Sequence, residues 1–213
     1  MSRALDPGQW TGELVRELLV VLYGGHRSRT GTWVPDAAAV ARRRRVAPST
    51  VRHWTRHGAP TAMPVRELDA IVRRRRPKAS TLRRERLQAD RTQKMRERAS
   101  LGRGRGNLTE YAERGWLDQH RVLVLEDEWR PLRRVVVVRD EPALIRRATA
   151  GARLVDLAIA DSKFAGDALR YQLLQEVGPW RLELPTKKAP RGHTQVWLAS
   201  APVAELPVSA SLT

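Results

Sequence analysis

The stretch VAPSTVRHWTRHG, residues 46–58, places hydrogen-bonding and cationic side chains on one face of a predicted helix. Val51 and Trp54 are three residues apart and would face a core, so the other side chains would point to solvent. Hydroxyl groups bind phosphate or base edges, and a guanidinium group binds guanine O6 and N7 in a bidentate manner. The predicted exposed set is Ser49, Thr50, Arg52, His53 and Arg56.

Other residues have side chains that could bind a metal or a phosphate or take part in catalysis, but their spacing does not favour these functions. His53 and His57 are four apart, which suits zinc, but no third ligand is nearby and the adjacent arginines would repel a cation. The acidic residues 126–128 fall at a predicted hairpin, where a solvated turn is a simpler interpretation than a two-metal nuclease site. The GRGRG stretch has no GK[ST] ending and no preceding strand, so it does not predict a phosphate-binding loop. We expect no metal, no cofactor and no catalytic residue.

The positive charge of the chain is concentrated in one segment. The net charge is +17, and residues 42–105 hold 21 Lys or Arg against 5 Asp or Glu, whereas the flanking segments are nearly balanced. Such a block beside a polar helix predicts binding to a phosphate backbone, with an affinity that falls as salt rises. Arginine outnumbers lysine 35 to 5, which coding bias explains as well as bidentate phosphate chemistry does. The segment opens with Arg42, Arg43, Arg44 and Arg45.

Composition narrows the class of protein. The chain has 213 residues, of which 41% are hydrophobic, so it can bury a core and has room for two domains. It contains no cysteine, no apolar run near 18 residues and no signal-peptide pattern. We expect a cytoplasmic, nucleoid-associated protein that has neither disulfides nor contact with a membrane.

The polar helix is preceded by two predicted helices. The first covers residues 10–25, with Thr11 as its cap and apolar residues at helical spacing. A loop, GGHRSRTGTWVP, follows this helix. The second helix is predicted to begin at Pro35 and to end in the four arginines.

The ends of the polar helix and of its successor are marked by turn residues. Pro48 suits the first turn of the polar helix, Ser49 or Thr50 would cap it, and Gly58 would end it. The next helix begins near Val65 and stops near Pro77.

A basic helical extension is predicted at residues 80–99. It has few apolar residues, so we expect it to be exposed, marginally stable alone and laid along phosphates. LGRGRGN, residues 101–107, is predicted to be a flexible boundary. The backbone contacts assigned to the extension are Arg83, Arg84, Arg91 and Arg98.

The remainder of the chain is nearly neutral and predicts a mixed domain. Residues 120–126 and 133–140 are β-branched runs that predict adjacent strands. Two helices are predicted next, over 141–162 and 161–178, the second with Asp161 or Ser162 as its cap. Strands at 180–185 and 193–200 could then pair. Such a domain more often serves oligomerisation or protein contact than DNA binding.

The turn of residues 46–48 between PDAAAVARRRR and STVRHWTRHG resembles a helix-turn-helix. The resemblance implies that the second helix lies in the major groove while the first crosses the backbone. Two positions depart from the family pattern, because Arg45 stands where the turn usually begins with glycine and Arg44 where a residue is usually buried. Carried over by position, the contact residues are Ser49, Thr50, Arg52, His53 and Arg56.

A wider resemblance covers residues 10–180. A leading helix, the stretch AAVARRRRVAPSTVRHW, a basic helical stretch, a glycine-containing break, and then a strand and two helices look like the terminal proteins of actinomycete linear chromosomes and plasmids. The resemblance implies telomeric DNA binding and a side-chain hydroxyl that primes synthesis by becoming linked to the first nucleotide. The nearest hydroxyls to the expected region are Ser100, Thr109 and Tyr111, and none has a distinctive setting.

Together these patterns predict an α+β protein in three parts. Residues 1–77 form a helix-turn-helix DNA-binding domain, 78–107 a basic helical extension with a glycine-rich linker, and 108–213 an α+β domain. The predicted function is binding of double-stranded DNA at specific sites in replication or telomere maintenance. The alternatives are a transcriptional repressor, a terminal protein whose hydroxyl primes DNA synthesis, and a DNA-processing enzyme; the last two keep an enzymatic role open. The partners considered are double-stranded DNA, a DNA polymerase or other replication protein, and a second copy in a homodimer.

Overall fold

The chain has an α+β fold in a computed structural model, which describes residues 9–59, 61–100, 105–184, 195–203, 206–207 and 209–210. The helices are α1 Gly12–Tyr23, α2 Ala37–Arg44, α3 Pro48–His57, α4 Val65–Arg73, α5 Ala79–Ser100, α6 Arg105–Glu113, α7 Pro142–Thr149 and α8 Lys163–Glu176. The strands are β1 Gly25–Arg27, β2 Trp33–Pro35, β3 His120–Asp127, β4 Leu132–Arg139, β5 Ala152–Ala160, β6 Arg181–Leu182, β7 Val196–Leu198 and β8 Ser209–Ala210.

The four N-terminal helices follow the predicted apolar spacing. Helix α1 begins where predicted, because the Thr11 hydroxyl accepts a hydrogen bond from the Leu14 N–H. Its buried face packs against α2 and α3, and Leu18, Val51 and Trp54 belong to one apolar cluster. Helix α4 adds Leu68, Ile71 and Val72 to the same cluster.

The segment predicted as a loop after α1 is a β-hairpin. Strands β1 and β2 pair antiparallel, with His26 opposite Val34. Gly31, at a φ of 82°, allows the turn between them. Pro35 therefore ends a strand and does not begin α2; Asp36 caps α2 by accepting from the Ala39 N–H at 2.9 Å. The prediction failed here because a three-residue strand is too short to show a periodic pattern.

The larger sheet has the strand order β6-β7-β4-β3-β5-β8. The predicted pairing of the two β-branched runs is confirmed, since β3 and β4 are antiparallel with Val122 opposite Val137. Strand β5 is also antiparallel to β3, so β4, α7 and β5 form a crossover between two parallel strands that flank β3. The pairing predicted across residues 186–192 is confirmed as well, with Arg181 opposite Trp197.

Residues 152–160 form strand β5, whereas the sequence predicted that a helix would continue through them. Gly151, with a φ of 70°, separates α7 from β5. The apolar run ARLVDLAIA fits a buried strand as well as a buried helix, and pairing with β3 along its length decides the outcome.

Helix α8 covers one face of the large sheet. It begins as predicted at Ser162, whose hydroxyl accepts from the Ala165 N–H. Gly166 lies against β3 and β4, where an added Cβ would be 2.8 Å from Val137 Cγ1. After α8 a short 3-10 turn, Gly178–Trp180, leads into β6.

Helix α5 packs against α8, so the predicted extension is not free of the C-terminal fold. Its contact face is polar: Arg181, which is 1% exposed, donates to both carboxylate oxygens of Glu85 at 2.8 and 3.0 Å, and Thr92 is buried. The predicted boundary at 101–107 is helical from Arg105 onward, and residues 101–104 lie outside the described residues.

The two halves of the chain share one apolar core. Trp54 and Trp197 belong to the same buried cluster. Polar contacts also join the halves, since the buried carboxylate of Glu17 accepts from the Ser200 N–H at 3.0 Å and from its hydroxyl at 2.7 Å. Across the residues that the structure describes, every helix is too short or too polar to span a bilayer.

Candidate nucleic-acid interface

The turn between α2 and α3 is built on Arg45. Its φ of 56° and ψ of 45° put it in the left-handed region, where it is the only described non-glycine residue with a positive φ. The backbone beyond this turn closes onto α2, because the Val46 N–H donates to the Ala41 carbonyl at 3.1 Å. Arg45 thus occupies the conformation that favours glycine, which explains how the turn forms without one.

Helix α3 begins at Pro48, as predicted, but no side chain caps it. Ala47 is the residue before the first turn, and neither Ser49 nor Thr50 accepts a capping hydrogen bond, so that prediction was wrong. Their hydroxyls are therefore not used at this end of the helix. An uncapped N-terminus also keeps amide groups and the positive end of the helix dipole available to an anion.

The predicted faces of α3 are confirmed. Val51 is 0% and Trp54 3% exposed, and both lie in the core. Thr50 is half-buried at the edge of the contact face. The side chains that face solvent are Ser49, Arg52, His53 and Arg56, together with His57.

The far end of α3 is held against the start of α1 by backbone contacts. Gly58 ends α3 with a φ of 73°, and a Cβ on it would lie 2.5 Å from the Gly12 amide nitrogen. The Ala59 N–H donates to the Trp10 carbonyl, and Arg16 donates to the Thr55 carbonyl at 2.9 Å. These contacts fix the direction of α3 relative to the core.

The four consecutive arginines do not share one environment. Arg42, Arg43 and Arg45 are exposed. Arg44 instead forms an ion pair with Glu67 of α4, with Nε 2.6 Å from Oε1. The structure thus places three of the four beside α3 in solvent and assigns the fourth a structural partner.

The exposed cations of α2 and α3 are not neutralised by the described part of the chain. No ion pair to a carboxylate forms there at Arg42, Arg43, Arg45, Arg52 or Arg56. A surface that keeps several guanidinium groups unpaired has a positive potential and favours a polyanion.

His53 and His57 contact each other, with ring centroids 4.9 Å apart. Within the described residues no group of three or more His, Asp or Glu could hold a metal ion. The two imidazoles are therefore available as hydrogen-bonding groups on the exposed face of α3.

The arginines predicted on the extension lie on the solvent side of α5. Arg83, Arg84, Arg91 and Arg98 are all exposed. The last three are spaced by seven residues and so form one stripe along the helix. Sequence analysis missed the opposite, packed face because it looked for apolar spacing, whereas this face consists of small and polar residues at helical spacing: Thr81, Glu85, Ala89 and Thr92.

Comparison of the chain with protein-family models, curated proteins and solved structures found no match.

Proposed function

We propose that this chain binds double-stranded DNA, with α3 as the helix that enters the major groove. The observation that carries the proposal is the arrangement of α2, the left-handed turn at Arg45 and α3. Val51 and Trp54 anchor α3 in the core, so its other face presents a hydroxyl, an imidazole and two guanidinium groups to solvent. Such a set can contact base edges in the major groove.

Three exposed arginines flank α3 and supply contacts to phosphates: Arg42, Arg43 and Arg45. Their charges have no carboxylate partner in the described residues. Helix α5 adds a second cationic stripe, at Arg84, Arg91 and Arg98. Phosphate contacts of this kind position a protein on the duplex and set its salt dependence without reading sequence.

The proposed role is action at specific sites in replication or telomere maintenance, which rests on the resemblance to terminal proteins. Of the three candidate priming hydroxyls, Tyr111 is buried and stacks on Trp116 at a centroid distance of 5.4 Å, which disfavours nucleotide attachment there. Thr109 is exposed, and the Ser100 side chain lies outside the described part of the chain.

The proposal that α3 reads the DNA sequence is tested with single substitutions in the protein. Binding is measured to random duplex and to a preferred duplex selected from a random pool. Arg52→Ala and Arg56→Ala should each weaken binding to that site, by about 1–3 kcal/mol where the arginine contacts guanine. Binding to random duplex should change much less, and both variants should melt with the parent. Arg66→Ala, an exposed arginine on α4, is the matched control and should not alter the preference between the two duplexes.

Trp54→Ala checks the packing on which this assignment depends. Loss of a buried tryptophan should lower the free energy of unfolding by roughly 3–5 kcal/mol.

If the two arginine variants weaken preferred and random duplexes equally, α3 is a basic surface and does not read sequence.

The role is tested separately from the binding. A palindromic preferred site would indicate a repressor, whereas preference for replicon ends supports the replication role. Incubation with a replicative DNA polymerase and nucleotides, followed by intact mass measurement, detects covalent nucleotide attachment. A nucleotide adduct would identify a priming terminal protein.

A further inference from the structure

In the part of the chain that the structure describes, one edge of strand β4 is only partly paired. Along one side β4 pairs with β3 over residues 133–139, whereas on the other side the described strand β7 pairs with it over Leu132–Arg134. Within the described residues, Val135–Arg139 therefore have no strand on their outer side. Alternate residues of such an edge direct their N–H and C=O groups outward, where another strand can pair with them.

This open edge lies in a groove with a volume of about 820 Å³. On one face of the sheet α8 packs against Val137, as the contact at Gly166 shows. On the other face α7 lies against the strand, and Arg134 donates to the Ala148 carbonyl at 3.3 Å. The groove thus lies between helices α7 and α8, and backbone groups of β4 form its base. Residues of the two helices that line it include Leu144, Arg147, Ala148 and Arg170.

The charge of the groove is positive. Arg139 is paired with Asp118 and Glu141, and Arg170 is paired with Asp167. Arg134 and Arg147 have no carboxylate partner among the described residues, although both line the groove. Two uncompensated guanidinium groups beside an open strand edge favour an anionic occupant.

We propose that this edge binds an extended, acidic peptide segment of a partner protein, which adds to the sheet as a strand next to β4. Five residues, Val135–Arg139, span about 16 Å, enough for a segment of four to six residues. The main chain of the segment pairs with the edge, and its acidic side chains face Arg134 and Arg147.

Other occupants fit the groove less well. A nucleic acid lacks the alternating donors and acceptors that match a strand edge. A second copy of the chain would bring the same arginines opposite each other. The chain's own segment 185–194 carries Lys187, Lys188 and Arg191 and no acidic residue, so it would add positive charge.

The probe is a fluorescent eight-residue peptide that alternates glutamate and valine, titrated onto the full chain and followed by anisotropy. We expect saturable binding that weakens as salt rises. A lysine–valine peptide of the same length should not bind. A glutamate–valine peptide methylated on alternate backbone nitrogens should bind at least roughly tenfold more weakly, because it cannot pair as a strand.

A matched pair of charge reversals locates the site. Arg147→Glu should weaken peptide binding by roughly tenfold, because it places a like charge in the groove. Arg146→Glu changes the neighbouring exposed residue of α7, which does not line the groove, and should alter binding by less than about twofold. Both changes lie on the surface, so circular dichroism should be unaltered.

Several outcomes would overturn the proposal. It would fail if the acidic peptide did not bind or if the methylated peptide bound as tightly as the unmethylated one. It would also fail if Arg147→Glu and Arg146→Glu weakened binding equally. Sedimentation that shows a dimer whose dissociation constant is changed by Arg147→Glu and not by Arg146→Glu would assign the groove to a second copy. Peptide binding that appears only after residues 185–194 are replaced by a short glycine-serine linker would assign it to the chain's own segment. DNA binding enters none of these measurements.

Discussion

Arg44 and Glu67 join α2 to α4 through a half-buried ion pair, with Arg44 Nε 2.6 Å and Nη2 2.5 Å from the same carboxylate oxygen. This pair removes one of four consecutive arginines from the solvent surface. It also ties α2, the first helix of the proposed helix-turn-helix, to α4, the helix that follows α3.

Arg44→Ala should therefore affect folding more than binding to DNA. Loss of the pair should lower the free energy of unfolding by about 1 kcal/mol, since the pair is shielded on both sides. Arg43→Ala is the matched control, because Arg43 is exposed one position away. It should leave the urea midpoint unchanged and reduce the salt slope of DNA binding by about 0.9. The opposite pattern would place Arg44 on the DNA.

Gly58→Ala should destabilise the protein more than Gly24→Ala. Both glycines end a helix with positive φ and nearly extended ψ, so either substitution strains the backbone by about 1–3 kcal/mol. Only at Gly58 would the added Cβ meet other backbone, at 2.5 Å from Gly12 N; at Gly24 nothing lies within 4 Å. We expect a further loss of about 1–3 kcal/mol for Gly58→Ala in urea unfolding. Equal losses would show that α1 can move away from α3.

Neutralising the four exposed arginines assigned to backbone contacts on α5 should change the salt dependence of DNA binding. The variant replaces four arginines with glutamine: Arg83, Arg84, Arg91 and Arg98. The slope of log affinity against log salt should fall by about three to four, because each lost phosphate contact removes about 0.9. Binding to all duplexes should weaken alike. An unchanged slope would show that α5 does not follow the backbone.

A smaller variant controls for net charge in that experiment. The double variant Arg114→Gln/Arg146→Gln removes one exposed charge from the segment after α6 and one from α7. It should leave the slope nearly unchanged, since neither residue belongs to the proposed DNA surface. A fall per charge equal to that of the α5 variant would mean that net charge alone controls the slope.

Glu17 should make stability depend on pH. Burial, which outweighs its hydrogen bonds to Ser200, raises the pKa of this carboxyl from 4.5 to about 7. Between these values the unfolded chain releases the proton while the folded chain keeps it. Neutral Glu17 therefore makes its full contribution to the free energy of unfolding below about pH 4.5. This contribution, about 3 kcal/mol, is lost as pH rises through 7.

Glu17→Gln should remove this loss, because the amide stays neutral and can still accept from the Ser200 N–H. The variant should gain stability over the parent by about 3 kcal/mol as pH rises from 4 to 8, measured by urea unfolding at each pH. Glu13→Gln, on an exposed residue of the same helix, should show no such gain. A constant difference between parent and variant would mean that the pKa of Glu17 is the same in the folded and the unfolded chain.

Local signals in the sequence were enough for part of the fold and of the candidate site. The three-residue spacing of Val51 and Trp54 predicted which face of α3 is exposed, because a helix repeats every 3.6 residues. Ser162 predicted the start of α8 and Thr11 the start of α1, since a hydroxyl cap acts within three residues of itself. The β-branched runs predicted β3 and β4.

Tertiary structure decided the features that depend on residues distant in the chain. The run at 152–160 is compatible with a helix or a strand, and β3 makes it a strand by pairing with it. Helix α5 is anchored by Glu85 to Arg181, 96 positions away, and Arg44 leaves the solvent surface because Glu67 meets it from α4. Among the residues that the structure describes, β7 pairs with β4 for only three residues, and this leaves Val135–Arg139 as an open edge. Spacing within a segment reports which side chains share a face, but not which partner that face meets, because the partner is brought there by the packing of the whole chain.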